Sequence, residues 1–125
     1  MGERFTASGD ALAPILDALK GRGLMFVDNH GWGQSAAGEL GRDRAMAWAV
    51  TDRRLDSETT GVAIDKALGE LEGIAAQNGV ALGLGGLYPV TVERVVAWAG
   101  TLEVRKLALA PATAIATRQP ARKTQ

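Results

Sequence analysis

The chain contains no cysteine and a single histidine, His30. The first absence removes disulfides, thiolate zinc sites and a cysteine nucleophile, and it leaves the redox compartment open. Long apolar runs are missing as well; none approaches the ~20 residues of a membrane span. Near the N-terminus Glu3 and Arg4 stand where a signal peptide would have its apolar region. Charge of one sign is also missing, since fourteen basic residues cancel fourteen acidic ones. Nothing therefore points to a nucleic-acid surface or an acidic tail. The balance is uneven only at the end. Arg118, Arg122 and Lys123 sit in a stretch without acids, and the rest of the chain carries three net negative charges. No P-loop and no serine-centred nucleophile elbow occurs.

What is present suffices for one folded domain. The 125 residues are 46% hydrophobic, enough to build a core. Leu12, Ile15, Leu16 and Leu19 recur at helical spacing behind Asp10, which predicts a helix over 11–21 with Pro14 in its first turn. An apolar run at 24–28 predicts a buried strand ending at Asp28. Ser35 precedes a short helical stretch over 36–40, and 45–50 is a second strand candidate. Residues 51–60 read as a loop. Thr60 can cap the longest helix, 61–77, whose stripe is Ile64, Leu68, Leu71 and Ala75. Asn78 and Gly79 stop it. A third strand over 80–85 leads to Pro89, well placed to open a helix over 89–99. Its apolar side reads as Val92, Val95, Val96 and Trp98. Residues 104–110 give a fourth strand, and the pattern fades after Ile115. Helices alternating with strands imply a parallel sheet, either open or an arc of a barrel.

In both architectures function gathers at the carboxyl ends of the strands. Asp28 ends the first strand, and His30 follows two residues later. Such a pair could ligate a metal or act as base and orienting partner, or it could be a solvated histidine beside a capping aspartate. Asp52, Asp56 and Glu58 surround Arg53 and Arg54. They could share acid and base roles or form a charged surface loop. Gly83 and Gly85 resemble the start of a dinucleotide loop, but the third glycine falls at Tyr88, and no acid ends the next strand. Trp48 and Trp98 lie within elements and read as core. Trp32 lies in the loop beside His30 and could stack on a sugar or pack back as a lid.

Four blocks in this order, "MGERFTAS", "RGLMFVDN", "DRRLDSE" and "ALGLGGLYPVTVERVVAW", resemble the C-terminal half of the divergent polysaccharide deacetylases. Met1, Gly2, Arg4, Phe5 and Thr6 match a family motif. Phe26, Val27 and Asp28 match a family strand end, and Ser35 matches a family serine. Asp52, Leu55 and Asp56 match a third block. At the opening of the last helix Gly85, Tyr88 and Pro89 match, but Gly86 replaces a histidine and Leu87 a proline. The resemblance implies an α/β fold of parallel βα units forming a partial (β/α) barrel over residues 1–115; residues 116–125, where the pattern has faded, read as a disordered tail. It implies kinship with metal-dependent hydrolases that deacetylate N-acetylated sugars, hence a divalent metal, a carbohydrate partner and an envelope or periplasmic setting for a full-length relative. The family's metal-ligating strands come before the region matched here, and Met1 matches an internal family methionine. The expectation is a truncated chain, inactive by itself. Asp28 and His30 are its candidate catalytic residues; Trp32, Asp52, Asp56 and Tyr88 are its candidate substrate contacts. The alternative is a non-catalytic sugar-binding or protein-interaction module. Half a barrel leaves two strand edges open, which predicts self-association.

Overall fold

The computed structural model describes residues 2–29 and 35–116. Elements follow in the order α1 (Glu3–Thr6), α2 (Gly9–Gly21), β1 (Phe26–Asp28), α3 (Ala37–Asp43), β2 (Trp48–Val50), β3 (Arg53–Arg54), α4 (Gly61–Asn78), β4 (Gly83–Leu84), α5 (Pro89–Ala99), a 3-10 turn (Glu103–Arg105) and α6 (Ala112–Ala116). His30, Trp32 and the end of the expected tail lie outside the described residues.

Every strand pairing is parallel. In one ladder β1 pairs with β2, Phe26 facing Trp48 and Asp28 facing Val50. In the other β3 pairs with β4, Arg53 facing Gly83 and Arg54 facing Leu84. The segment from Trp48 to Arg54 thus serves two neighbours in turn. Thr51 donates its amide to Asp28 on one side, and Asp52 donates to Leu82 on the other at 2.7 Å. Successive residues of an extended chain point their amides in opposite directions, so this switch needs no turn. The stretch read as a loop from 51 onward is partly strand. Its arginines are exposed, and their pairing partner lies thirty residues away, so local pattern could not show it.

The helices were easier to foresee. Thr60 Oγ1 accepts from the Ala63 amide at 3.3 Å and caps α4. Gly79 closes it in the left-handed region at φ +80°, where other residues are strained. Pro89 opens α5 at its first position. α2 differs from its expectation. It begins at Gly9 behind Ser8, so Pro14 lies in the second turn and forfeits the bond to the Asp10 carbonyl. The expected strand over 104–110 is absent. Glu103–Arg105 is a 3-10 turn, Lys106 stands at φ +59°, and Leu107 donates back to the Leu102 carbonyl.

Among the described residues two apolar clusters hold the chain. Leu12, Leu16, Ala37 and Met46 form one, with Leu19, Phe26 and Leu40 around it. Leu55, Ile64, Ala67, Leu68 and Leu71 form the other, flanked by Ala81, Val90, Val95 and Trp98. Leu12, Leu16, Ile64 and Leu68 are fully buried, each contributing ~1.5–3 kcal/mol. Ile15 stays half-exposed, and so does Val92, while Val96 is 67% exposed. The inward side of α5 keeps Val95 and Trp98 of the expected stripe and turns away from Val92 and Val96. It carries Thr91, Val95 and Trp98 at i, i+4 and i+7. Trp48 is half-buried against α3, where Gly41 admits its ring; a Cβ there would stand 2.7 Å from Trp48 Cδ1.

Candidate functional site

Both ladders are parallel, and β2 and β3 follow one another along the segment Trp48–Arg54. At the end of β3 the chain passes Leu55 and reaches Asp56, whose side chain is completely buried. Its Oδ2 accepts from the Gly86 amide and from Thr91 Oγ1, the latter at 3.1 Å. One carboxylate therefore ties the end of β3, the glycine pair after β4 and the first turn of α5. Asp56 Oδ1 has no hydrogen bond among the described residues. Arg54 Nε stands 3.4 Å from it, on a half-exposed side chain that offers partial charge compensation.

Gly86 is packed as well as tied. A Cβ at this position would lie 3.0 Å from Tyr88 Cε2 and 3.1 Å from Asp56 Oδ2. The Tyr88 ring, half-exposed, covers the glycine and takes the room a larger residue would need. Leu87 beside it is 94% exposed. The rim here combines an aromatic face, a guanidinium and a buried carboxylate.

The other sequence candidates stand elsewhere. Asp28 is buried at the end of β1. Next to it Thr51 Oγ1 donates to Asn29 Oδ1 at 3.3 Å. Asp52 precedes β3 rather than following it. Its Oδ2 accepts from the Leu82 amide at 2.8 Å while its own amide donates to the Leu82 carbonyl, so it clamps the entry of β4. The structure thus brings together Asp56, Gly86, Tyr88 and Thr91, with Asp28 on the neighbouring ladder. Thr91 was missed in the sequence, although a hydroxyl in register with Val95 and Trp98 is a legible signal for a buried polar contact.

Two ion pairs on the outer helices shift titrations. The hydrogen bond from Arg44 to Asp17, at 2.7 Å, holds the Asp17 carboxyl below its ordinary value. The paired hydrogen bonds from Arg94 do the same for Asp65. One pair links α2 to the residue after α3, and the other links α4 to α5.

Helices and short parallel strands, with buried polar side chains at the ends of β1 and β3, define a mixed α/β protein. The chain belongs to the divergent polysaccharide deacetylase family, which matches residues 1–116. It is also similar to the crystal structure of an uncharacterized protein from Agrobacterium tumefaciens, with 29% identity and a TM-score of 0.88. The similarity covers 92% of this chain and 47% of that one, so the chain spans about half the length of this neighbour. No curated protein matches it.

The divalent metal that the family implies can be tested against the donors present. Among the described residues no three His, Cys, Asp or Glu side chains gather closely enough to hold one. Asp56 already spends one oxygen on Gly86 and Thr91. The described residues do not fit a metal centre, and no reaction step is derived through one. Among them, too, no helix is long and apolar enough to cross a membrane.

Proposed function

We propose that this chain supplies the sugar-facing C-terminal half of a divergent polysaccharide deacetylase-like domain in carbohydrate metabolism and has no deacetylase turnover by itself. One observation carries the reading: Asp56 is locked onto the Gly86 amide, with the Tyr88 ring laid over the glycine. A rim so arranged can bind a sugar through an apolar ring face and the Arg54 guanidinium. It offers no acid or base at residue 86, where the family resemblance expects an imidazole. In this reading Asp56 positions the rim, Tyr88 stacks on the sugar and Asp28 remains as a buried polar group on the neighbouring ladder. The test is release of acetate from N-acetylated oligosaccharides with added divalent metals, alongside binding of the same sugars followed by NMR. The expected result is no turnover, with binding lost in Tyr88→Ala. Turnover by the chain alone, abolished by Asp28→Ala, would overturn the inactive half of the reading.

A second reading, a non-catalytic sugar-binding or protein-interaction module, is favoured by the sheet edges. Among the described residues β1 pairs only with β2, and β4 only with β3. Open edges of this kind attract further strands, so the chain self-associates in this reading.

A further inference from the structure

An asparagine followed by glycine is open to attack by the backbone on its own side chain, because glycine puts no Cβ beside the reacting nitrogen. The chain holds a single such pair, Asn78 and Gly79, and its other asparagine, Asn29, precedes a histidine. Both residues of the pair are exposed at the end of α4. A Cβ built on Gly79 would meet nothing within 4 Å, so no neighbour crowds the reacting atoms.

The folded conformation nevertheless holds the two groups apart. Asn78 is the last residue of α4, and the Cα–Cβ bond of a helical residue leans toward the helix N-terminus. The next amide nitrogen lies on the C-terminal side, so the carboxamide carbon leads away from it. That nitrogen is also engaged. Gly79 donates to the Ala75 carbonyl at 2.8 Å, and its left-handed φ of +80° belongs to the cap that closes the helix. Attack requires this bond to break and Asn78 to leave the helical region.

We propose that Asn78 is a self-modification site gated by the C-terminal cap of α4. When the last turn opens, the Gly79 nitrogen loses its proton to solvent and bonds to the side-chain carbon of Asn78. The carbon–nitrogen bond of the carboxamide breaks, and that nitrogen leaves as ammonia with a proton taken from solvent. Water then adds to one carbonyl of the cyclic imide and opens the ring. The product is aspartate, or its isomer in which the side-chain methylene has joined the main chain. Nothing is oxidised or reduced, and water is the sole co-reactant. Either product puts a new carboxylate at the carbonyl end of a helix, where negative charge is disfavoured. The isomer also lengthens the backbone beside the bond from Gly79 to Ala75. The cap therefore re-forms less well afterwards, just ahead of Leu82, which Asp52 clamps at the entry of β4. The inference rests on the cap alone and is independent of the sugar-facing reading.

Incubation of the full chain in mildly alkaline buffer, folded and in guanidinium chloride, tests this by peptide mapping and isoelectric focusing. Each conversion adds one negative charge to a chain of formal net charge zero, so the product separates from the parent. Conversion at Asn78 should be ~10-fold or more slower in the folded chain, because the cap must open first. Ala76→Gly, at an exposed position in the last turn, should raise the folded rate ~5-fold through easier opening and leave the denatured rate unchanged. Asn78→Asp, which carries the product's charge, should speed hydrogen exchange of the Gly79 amide ~2–5-fold. Equal rates in the folded and denatured chains, a folded rate unmoved by Ala76→Gly, or conversion at Asn29 as fast as at Asn78 would each overturn the proposal. Unchanged exchange at Gly79 in Asn78→Asp would overturn the claim that modification weakens the cap.

Discussion

Replacing Asp56 offers the sharpest check on how the rim is held. Asp56→Ala removes the acceptor of two hydrogen bonds and strands the Gly86 amide and the Thr91 hydroxyl, the latter on a residue only 2% exposed. Hydrogen bonds to a charged acceptor contribute ~1.5–3 kcal/mol each, and the pair shares one oxygen, so the combined loss is ~3–5 kcal/mol. Asp56→Asn keeps an acceptor for both donors. It gives up the attraction of Arg54, which is worth little because that guanidinium is half-exposed, and the expected loss is ~1 kcal/mol. Unfolding entropy of ~2.1 cal/mol/K per residue over 125 residues converts each kcal/mol into ~4 °C of Tm. The alanine variant should therefore melt ~12–20 °C below the parent, and the asparagine variant ~4 °C below it. Thermal unfolding followed by circular dichroism measures both. A double-mutant cycle with Thr91→Val should show coupling of ~1 kcal/mol or more. If alanine melts within ~2 °C of the parent, or asparagine is as damaging as alanine, the carboxylate is not the tie that joins these elements.

Gly86→Ala must push against the Tyr88 ring and a carboxylate that cannot move, so it should cost ~1–2 kcal/mol in chemical denaturation. Tyr88→Ala in the same chain should recover part of that loss; equal losses with and without the ring would refute the packing argument. Gly41→Ala should be damaging by ~1–3 kcal/mol, because the added methyl meets Trp48 Cδ1 and Cγ on a buried face. A shift in tryptophan emission should accompany it, and unchanged emission and stability would contradict the contact. Asp17 and Asp65 have folded-state values below their unfolded ones, so their contribution is present above the unfolded value, near ~4, and fades as pH falls through the folded value. Asp17→Asn and Asp65→Asn should each flatten the acid limb of a stability–pH profile and leave its alkaline limb unchanged. An unaltered acid limb would show that these pairs are not maintained in solution.

The parts legible in the sequence were those governed by neighbours along the chain. α4 and α5 announce themselves through Thr60, Gly79 and Pro89, each of which acts on backbone groups a few residues away. The strands are harder to delimit because they are two or three residues long and owe their form to partners twenty to thirty positions distant. Arg53 and Arg54 look like loop residues until Gly83 and Leu84 lie beside them. Conversely, residues 104–110 look like a strand, but Glu103–Arg105 is a 3-10 turn and Lys106 stands in the left-handed region. Asp56 could be picked out through its family motif. Its role could not, because that depends on where Gly86 and Thr91 arrive in space.

The strand that changes neighbours at Thr51 and Asp52 has a consequence for how the molecule opens. One apolar cluster gathers around α2 and α3 and the other around α4 and α5, and the two ladders meet along this segment. Such a layout favours two cooperative units over one, each able to breathe while the other holds. Native-state exchange should sort the slow amides of α2 and α3 into one opening free energy and those of α4 and α5 into another. Denaturant should erode the two groups with different slopes, and the amides of Thr51 and Asp52 should follow one group each.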